Sequence, residues 1–413
     1  RRPPRSTLFP YTTLFRSQRL DADGLLVVTR WLQDPPSESL RAGALVVTAL
    51  ERFAVENPGQ HLVALRSWST MTFLASPAPF ARRDIDLISE TCERLGYDLV
   101  YYPGMQPEEA NRHNILPEPA YHTAFVDLLS SSDRRAFYQS QFYDVSPPTD
   151  DRPFFSHYFR WRQIPRIVAQ LGKTWQPFGG SGFLLVLATL GIAILATAIL
   201  VLMPLLWGSN GQGQVAHRWR YLAYFAMLGL GYLSVEMPLM QHFILYLGQP
   251  AFSFAVVLSA LLLSSGAGSL LASRVQLRVA LPSLVVCIIV YPTLLHGLFT
   301  RSTHLPLPAR IAIASVSLMP LGTLMGIPFP GALRRVGHTL PRLIPWIWAI
   351  NGGASVIGSI LATILALSGG YRLVLYLAAT CYLAATLAFW PLAANRGGKP
   401  RQATRSNSLG VGG

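Results

Sequence analysis

Long apolar runs separated by short loops fill the chain from Gly182 onward. Most of them reach the ~20 residues that a helix needs to cross a hydrocarbon layer. Backbone N–H and C=O groups cannot stay unpaired in lipid, so each run is predicted to be helical. The pattern therefore predicts an all-α polytopic membrane domain over residues 182–392, with runs at Gly182–Leu206, Tyr221–Tyr246, Ala251–Ala272, Ala280–Phe299, Ile311–Ile327, Pro345–Leu367 and Leu373–Trp390.

Small residues in two of these runs predict how the helices pack. Residues 264–268 read Ser-Ser-Gly-Ala-Gly, and Ala354, Gly358 and Ala362 recur at four-residue spacing. Small side chains on one helix face let neighbouring backbones approach closely. We expect a compact bundle rather than a set of independent anchors.

Before about residue 180 the pattern is that of a soluble α/β domain. Leu25–Thr29 lacks polar alternation, which predicts a fully buried strand of a parallel sheet. Ser37 is placed to cap the next helix. The predicted order is strand, helix (Leu40, Val47, Leu50, Phe53), hairpin (His61–Arg66 with Met71–Ala75), helix (Ile85, Ile88, Cys92, Leu95) and strand (Leu99–Tyr102).

The distribution of charge supports the same division. Nineteen of the 20 acidic residues lie at or before Asp151, and Glu236 is the one carboxylate in the 262 residues that follow (413 − 151). The net charge of +14 comes largely from the chain ends and from loop arginines beside apolar runs. We therefore expect the lipid bilayer as a partner and not nucleic acid. Cys92, Cys287 and Cys381 have neither disulfide nor metal-ligand spacing, so no metal is expected.

Three adjacent charged residues are the candidate chemistry of the soluble half. Asp150, Asp151 and Arg152 could bind an amine or a metal, or act in acid–base catalysis. The alternative, which we favour, is a turn in which the carboxylates cap the next segment and Arg152 pairs with one of them. Beyond it, an interfacial aromatic belt is predicted from Phe154, Phe155, Tyr158, Phe159 and Trp161, with Arg160, Arg162 and Arg166 at the level of the lipid headgroups.

Glu236 is the main candidate of the membrane half. A carboxylate in a membrane span is costly to ionise and usually faces a cavity or a partner. Pro238 loosens the same helix, and Gln241 and His242 add polar groups. Asn351 is a second polar residue in the membrane and a candidate partner of Glu236. The cluster could hold an amine, relay a proton, or only close a hydrogen bond between helices.

Several motifs together resemble a known family. They are LDADGLLVVTRW (20–31), PPTDDRPFFSHYFRW (147–161), LGLGYLSVEMPLMQHFILYLGQP (228–250), MGIPFPGALRR (325–335) and WIWAINGGASVIGSILA (346–362). The first is similar to the fifth-strand turn of spermidine-synthase-like domains. The second is similar to the segment that joins such domains to membrane helices in bacterial membrane-embedded spermidine synthase homologues. The order of elements also resembles the closing part of the class I methyltransferase fold, which is Rossmann-like.

This resemblance carries expectations about chemistry. It implies an adenosyl cofactor, S-adenosylmethionine or its decarboxylated form, held by a glycine-rich turn, an acidic residue and an Asp-bearing loop. None of these elements occurs in the 413 residues. We therefore expect a truncated domain that has no cofactor site and no activity of its own, with the catalytic residues unassigned. The intact parent would transfer an aminopropyl or methyl group, to a polyamine or another small molecule.

The chain divides into five predicted regions. Residues 1–17, RRPPRSTLFPYTTLFRS, lack an initiator Met, repeat TLF and resemble a translated sequencing adapter, so they are excluded from the fold. Residues 18–160 form the truncated transferase-like domain, 161–181 an amphipathic connector, 182–392 the membrane domain of six or seven helices, and 393–413 a basic disordered tail.

The orientation in the membrane depends on how many runs cross it. With the soluble half inside and seven crossings, eleven cations lie outside (Arg218, Arg220, Arg274, Arg278, Arg334, Arg335, Arg342, Arg396, Lys399, Arg401, Arg405) and seven inside (Arg160, Arg162, Arg166, Lys173, Arg301, Arg310, Arg372). This division contradicts the positive-inside rule. If Ile311–Ile327, interrupted by Pro320, dips in and returns, the count becomes thirteen inside and five outside. We therefore hypothesise six crossings, with both ends cytoplasmic. The prolines of Ile327–Gly331 are predicted to form a rigid exit from the membrane.

Three functions fit the sequence. The first is a spermidine-synthase-like membrane protein of the bacterial inner membrane with a cytoplasmic soluble domain. The second is a transporter or lipid-handling protein whose soluble part is regulatory. The third is a structural membrane anchor. Glu236→Gln discriminates, because it should abolish transport but spare a soluble transferase.

Overall fold

The computed structural model describes residues 20–21, 24–33, 36–53, 55–165, 181–207 and 218–394. The proposed adapter sequence at 1–17, most of the predicted connector and nearly all of the predicted tail lie outside these residues. The chain divides into two compact units. One comprises residues 1–188 together with 366–371, and the other comprises residues 189–365 and 372–413.

The first unit contains a four-stranded sheet. The strands are β1 (Leu26–Trp31), β2 (Leu62–Arg66), β3 (Thr70–Ala75) and β4 (Asp98–Tyr101), in the order β1-β3-β2-β4. The predicted order of elements and the hairpin are confirmed, and β1 is an edge strand. The predicted parallel sheet is wrong, because every paired neighbour is antiparallel.

The burial of β1 also differs from the prediction. Leu26 and Val28 are buried, whereas Val27 is 54% exposed and Trp31 is 64% exposed. Only one face of this strand lies against the core, so period-2 alternation holds although the residues on both faces are apolar. An apolar run in sequence therefore does not prove burial on both faces.

The α-helices described before residue 165 lie in the first unit. They are α1 (Glu38–Arg52), α2 (Arg82–Leu95), α3 (Ala120–Ser130) and α4 (Arg134–Ser140). α1 begins after Ser37 as predicted, but the Ser37 hydroxyl donates to the side-chain oxygen of Gln33 instead of capping the helix. α1 and α3 pack on the sheet, and the rings of Phe73 and Phe125 lie 5.5 Å apart in the core.

The membrane half is helical, as predicted. α5 (Ser181–Thr197) continues through a π-helical stretch (Ala198–Leu202) into α6 (Met203–Trp207), and the others are α7 (Arg218–Leu247), α8 (Pro250–Leu271), α9 (Leu277–Ser302), α10 (Leu307–Gly326), α11 (Pro328–Thr339), α12 (Ile344–Gly369) and α13 (Tyr371–Ala394). Within the described residues, seven helices are long and apolar enough to cross a membrane. The chain is a multi-pass membrane protein by this criterion.

The predicted small-residue contacts are present. Ala354 and Ala362 are buried, and a Cβ at Gly358 would lie 3.0 Å from Cα of Leu230 in α7. In α8, a Cβ at Gly268 would lie 2.9 Å from the carbonyl carbon of Thr323 in α10 and closer still to its oxygen. Only glycine permits so close an approach of two helix backbones.

Two predictions about the α10 region need correction. α10 is a continuous helix that contains Pro320, which leaves no reversal inside the proposed re-entrant run. Its 20 residues span about 30 Å, enough to cross the hydrocarbon. α10 ends at Gly326, as the prolines predict, but Pro328 and Pro330 lie in the first turn of the next helix, α11, where proline needs no N–H partner, so the segment is a junction of two helices.

Candidate functional site

Glu236 lies half-buried in the second half of α7. Tyr232 precedes it by four residues and therefore lies on the same helix face, where it interacts with Glu236 and through its hydroxyl with Ser265 of α8. Pro238 removes the N–H that would bond to the carbonyl of Ser234. The surroundings of Glu236 are thus a carboxylate, a phenol and a hydroxyl at one helix contact.

Gln241 and His242 do not complete this group. At ~100° per residue they lie roughly 140° and 120° around the helix from Glu236, on either side. The His242 ring nitrogen Nδ1 lies 2.8 Å from the carbonyl oxygen of Pro238 in its own helix. The predicted polar cluster is therefore dispersed around α7.

Asn351 is not the partner of Glu236. Its side-chain amide donates to the carbonyl oxygen of Phe225 at 2.9 Å, and Ser355 donates to that of Gly229 at 3.3 Å. Phe225 precedes Glu236 by eleven residues, which is ~16 Å along the helix. Asn351 joins α12 to the N-terminal half of α7, as an interhelical hydrogen bond.

Asp150 and Asp151 occupy the corner of a tight turn. The backbone N–H of Arg152 donates to the carbonyl of Thr149 at 3.0 Å, and the N–H of Thr149 donates back to the carbonyl of Arg152 at 3.3 Å. Arg152 pairs with Asp144, with 2.7 Å between Nη1 and Oδ2. The turn matches the interpretation of residues 150–152 that the sequence favours. The ion-pair partner of Arg152, however, is Asp144 and not one of its two neighbouring carboxylates.

A buried polar network surrounds Asp144. The hydroxyl and N–H of Ser146 donate to Oδ1, and the guanidinium of Arg160 lies 3.7 Å from the same oxygen. Arg41, only 1% exposed, donates to the carbonyl oxygens of Ser146, Phe155 and His157. These contacts fasten the loop after α4 to α1. Arg41 lies within a run of buried apolar positions, and a charge in such a run could have indicated a buried partner.

The electrostatics of this network favour a fixed charge pattern. Burial lowers the pKa of Arg41 to about 10, against the attraction of Asp144, so the guanidinium is charged at neutral pH. Burial opposes ionisation of Asp144, but Ser146 and Arg152 hold its pKa below the usual range. Burial, with repulsion from Arg152 and Arg41, lowers the pKa of His157 to about 4. His157 is therefore neutral near pH 7.

The predicted interfacial aromatic belt is only partly exposed. Phe155 and Tyr158 are buried within the first unit, and Phe159 stacks on Phe183 with 4.5 Å between centroids. Trp161 is 51% exposed. Phe155, Tyr158 and Phe159 are thus core residues, because the loop that carries them folds back on α1.

Neither a metal site nor a known relative assigns a function. Among the described residues, no group of three or more His, Cys, Asp or Glu side chains is placed to hold a metal ion. No protein-family model matches the chain, and no curated protein or solved structure matches it.

Proposed function

We propose that the chain contains the closing part of a spermidine-synthase-like transferase domain joined to a seven-helix module of the bacterial inner membrane. The whole protein would transfer an aminopropyl or methyl group from an adenosyl cofactor to a polyamine or another small molecule. Its soluble unit would be cytoplasmic, where such cofactors are made, although seven crossings then place eleven cations outside and seven inside, against the positive-inside rule. The proposal combines the sequence motifs with one feature of the sheet.

That feature is the placement of β3. β3 is antiparallel to both β1 and β2, so the two flanking strands run in the same direction with a reversed strand between them. A class I methyltransferase-like sheet closes with this arrangement of its last three strands. The free edge of β1 and its exposed residues Val27 and Trp31 are where further strands and a covering helix of such a sheet would pack.

The proposal assigns no transfer chemistry to Asp150, Asp151 and Arg152. Asp150 and Asp151 lie in a turn, and Arg152 is engaged by Asp144. We therefore expect this 413-residue polypeptide to bind no adenosyl cofactor, as measured by titration calorimetry with S-adenosylmethionine and its decarboxylated form. Saturable binding of either compound would contradict the proposal that the cofactor site lies outside these 413 residues.

The reading frame upstream of Gln18 in the natural gene provides the decisive test. A glycine-rich turn after a predicted strand, followed ~20 residues later by an acidic residue, would support the transferase proposal. The longer protein should then transfer label from the adenosyl cofactor to an amine. An upstream frame without such a turn would overturn the proposal.

One observation favours a second candidate, a membrane transporter with a regulatory soluble unit. Glu236 lies at the contact of α7 and α8 beside Tyr232, and carboxylates in membrane spans commonly serve substrates or protons. Uptake of labelled amines into vesicles should then be lost in Glu236→Gln and kept in the control Gln241→Ala, on another face of the same helix. Equal uptake by both variants would exclude a coupled transport role for Glu236.

A further inference from the structure

Residues 366–371, the turn between α12 and α13, belong to the first unit. The Arg152 side chain donates from Nε to the carbonyl oxygen of Leu367 at 2.9 Å, and the N–H of Tyr371 donates to the carbonyl oxygen of Asp151 at 2.9 Å. The rings of Phe154 and Tyr371 also meet, with 5.5 Å between centroids. Three separate contacts therefore hold this turn.

These contacts replace one missing helical bond. In a continuous helix the N–H of Tyr371 would donate to the carbonyl of Leu367, four residues earlier. The chain instead turns at Gly370, so this helical bond is not made and both groups need other partners. Arg152 takes the carbonyl, and its neighbour Asp151 takes the N–H. The positive guanidinium also suits the C-terminal end of a helix.

Gly370 shows how closely the two segments fit. Its φ is +90°, a conformation that side chains other than glycine rarely adopt. A Cβ at this position would lie 2.9 Å from Cγ of Asp151 and closer to Oδ2. The guanidinium of Arg152 also pairs with Asp144, and this ion pair holds the side chain in the position from which it contacts Leu367.

We infer that the turn at residues 149–152 is a docking surface for the α12–α13 turn of this same chain, and that the chain therefore crosses the membrane seven times. The two turns can meet only on one side of the membrane. Six candidate spans lie between Arg152 and Gly370 among the residues that the structure describes, and an even number of crossings returns the chain to its starting side. If the α10 segment did not cross, five crossings would place Gly370 on the opposite side. The end of the seventh span, near Trp390, then lies on the side of the membrane opposite to the turn at residues 149–152.

Cysteine labelling tests the topology. Single cysteines at Ser209 and Ser408 are introduced into the full chain after Cys92, Cys287 and Cys381 are replaced by alanine, and sealed vesicles are treated with an impermeant maleimide. Seven crossings place both positions on the same side of the membrane. Labelling from opposite sides requires six crossings and would overturn the inference.

Hydrogen exchange tests the docking contact itself. Arg152→Gln removes the charged donor to Leu367, and the amide of Tyr371 should then exchange about tenfold faster. Arg135→Gln, an exposed arginine of the same unit, is the control and should leave that amide unchanged. Gly370→Ala gives a second variant in which the same amide should lose protection while Arg152 is intact. Unaltered exchange in both Arg152→Gln and Gly370→Ala would refute the docking role.

Discussion

The close approach of α8 and α10 allows a sharp prediction. In Gly268→Ala the new Cβ would lie 2.9 Å from the carbonyl carbon of Thr323, against the 3.4 Å at which ordinary contact begins. The two backbones must then separate locally by at least 0.5 Å (3.4 − 2.9), because no rotamer change can relieve a clash between backbone atoms. Gly266→Ala on the same helix meets nothing within 4 Å and serves as the matched control.

The expected cost follows from that separation. A gap of ~0.5–1 Å forfeits roughly a quarter to a half of each dispersion contact across an interface, and overpacking typically costs about 1–3 kcal/mol. The helix-propensity gain of Gly→Ala, about 1 kcal/mol, is common to both variants and cancels in their difference. Gly268→Ala should therefore be ~1–3 kcal/mol less stable than Gly266→Ala.

Reversible unfolding in mixed SDS and detergent micelles, followed by circular dichroism, measures this difference. Gly266→Ala should unfold at an SDS fraction equal to or somewhat above that of wild type, and Gly268→Ala at a lower fraction than Gly266→Ala. Equal stability of the two alanine variants would show that α8 and α10 do not approach as closely as described. It would also remove the packing argument for a compact bundle.

Three further results are expected. Asn351→Ala should destabilise the membrane unit by ~1 kcal/mol in the same unfolding assay, because the bond to the Phe225 carbonyl is lost, and an unchanged midpoint would contradict that bond. His157 has a folded pKa of about 4, below its ordinary 6.5. The unfolded chain thus binds the extra proton first, and stability should fall as pH drops from 6.5 to 4. In His157→Gln the thermal midpoint should depend less on pH over that range. A pH profile identical to that of the wild type would argue against burial of a neutral His157. Glu236→Leu should leave folding intact if the carboxylate is functional rather than structural, as tested by monodispersity in detergent.

Local patterns predicted the elements well. The β2–β3 hairpin and the apolar stripe of α2 follow from residue type and spacing alone. The parallel sheet was a wrong inference from Leu25–Thr29, because β1 is apolar on both faces while only one face meets the core. Whether the exposed face of β1 is covered depends on other elements of the fold and not on the sequence of the strand itself.

The network around Asp144 could not be read from spacing. Arg41 lies 105 positions from Ser146 in the sequence, and the chain that separates them includes the strands β2, β3 and β4. The docking of Arg152 on Leu367 spans 215 positions. Contacts between residues so far apart in sequence depend on the tertiary fold. The membrane spans depend only on the length and composition of an apolar run, and both can be read directly from the sequence.

The claim on which the account depends is that residues beyond about 181 form helices in a lipid bilayer. Membranes from cells that express the full chain are washed with alkaline carbonate, and the pellet is then treated with detergent. The protein should stay in the pellet through the wash and be released only by detergent. A polypeptide that leaves the membrane in carbonate, and stays monodisperse in buffer without detergent, would contradict the membrane assignment.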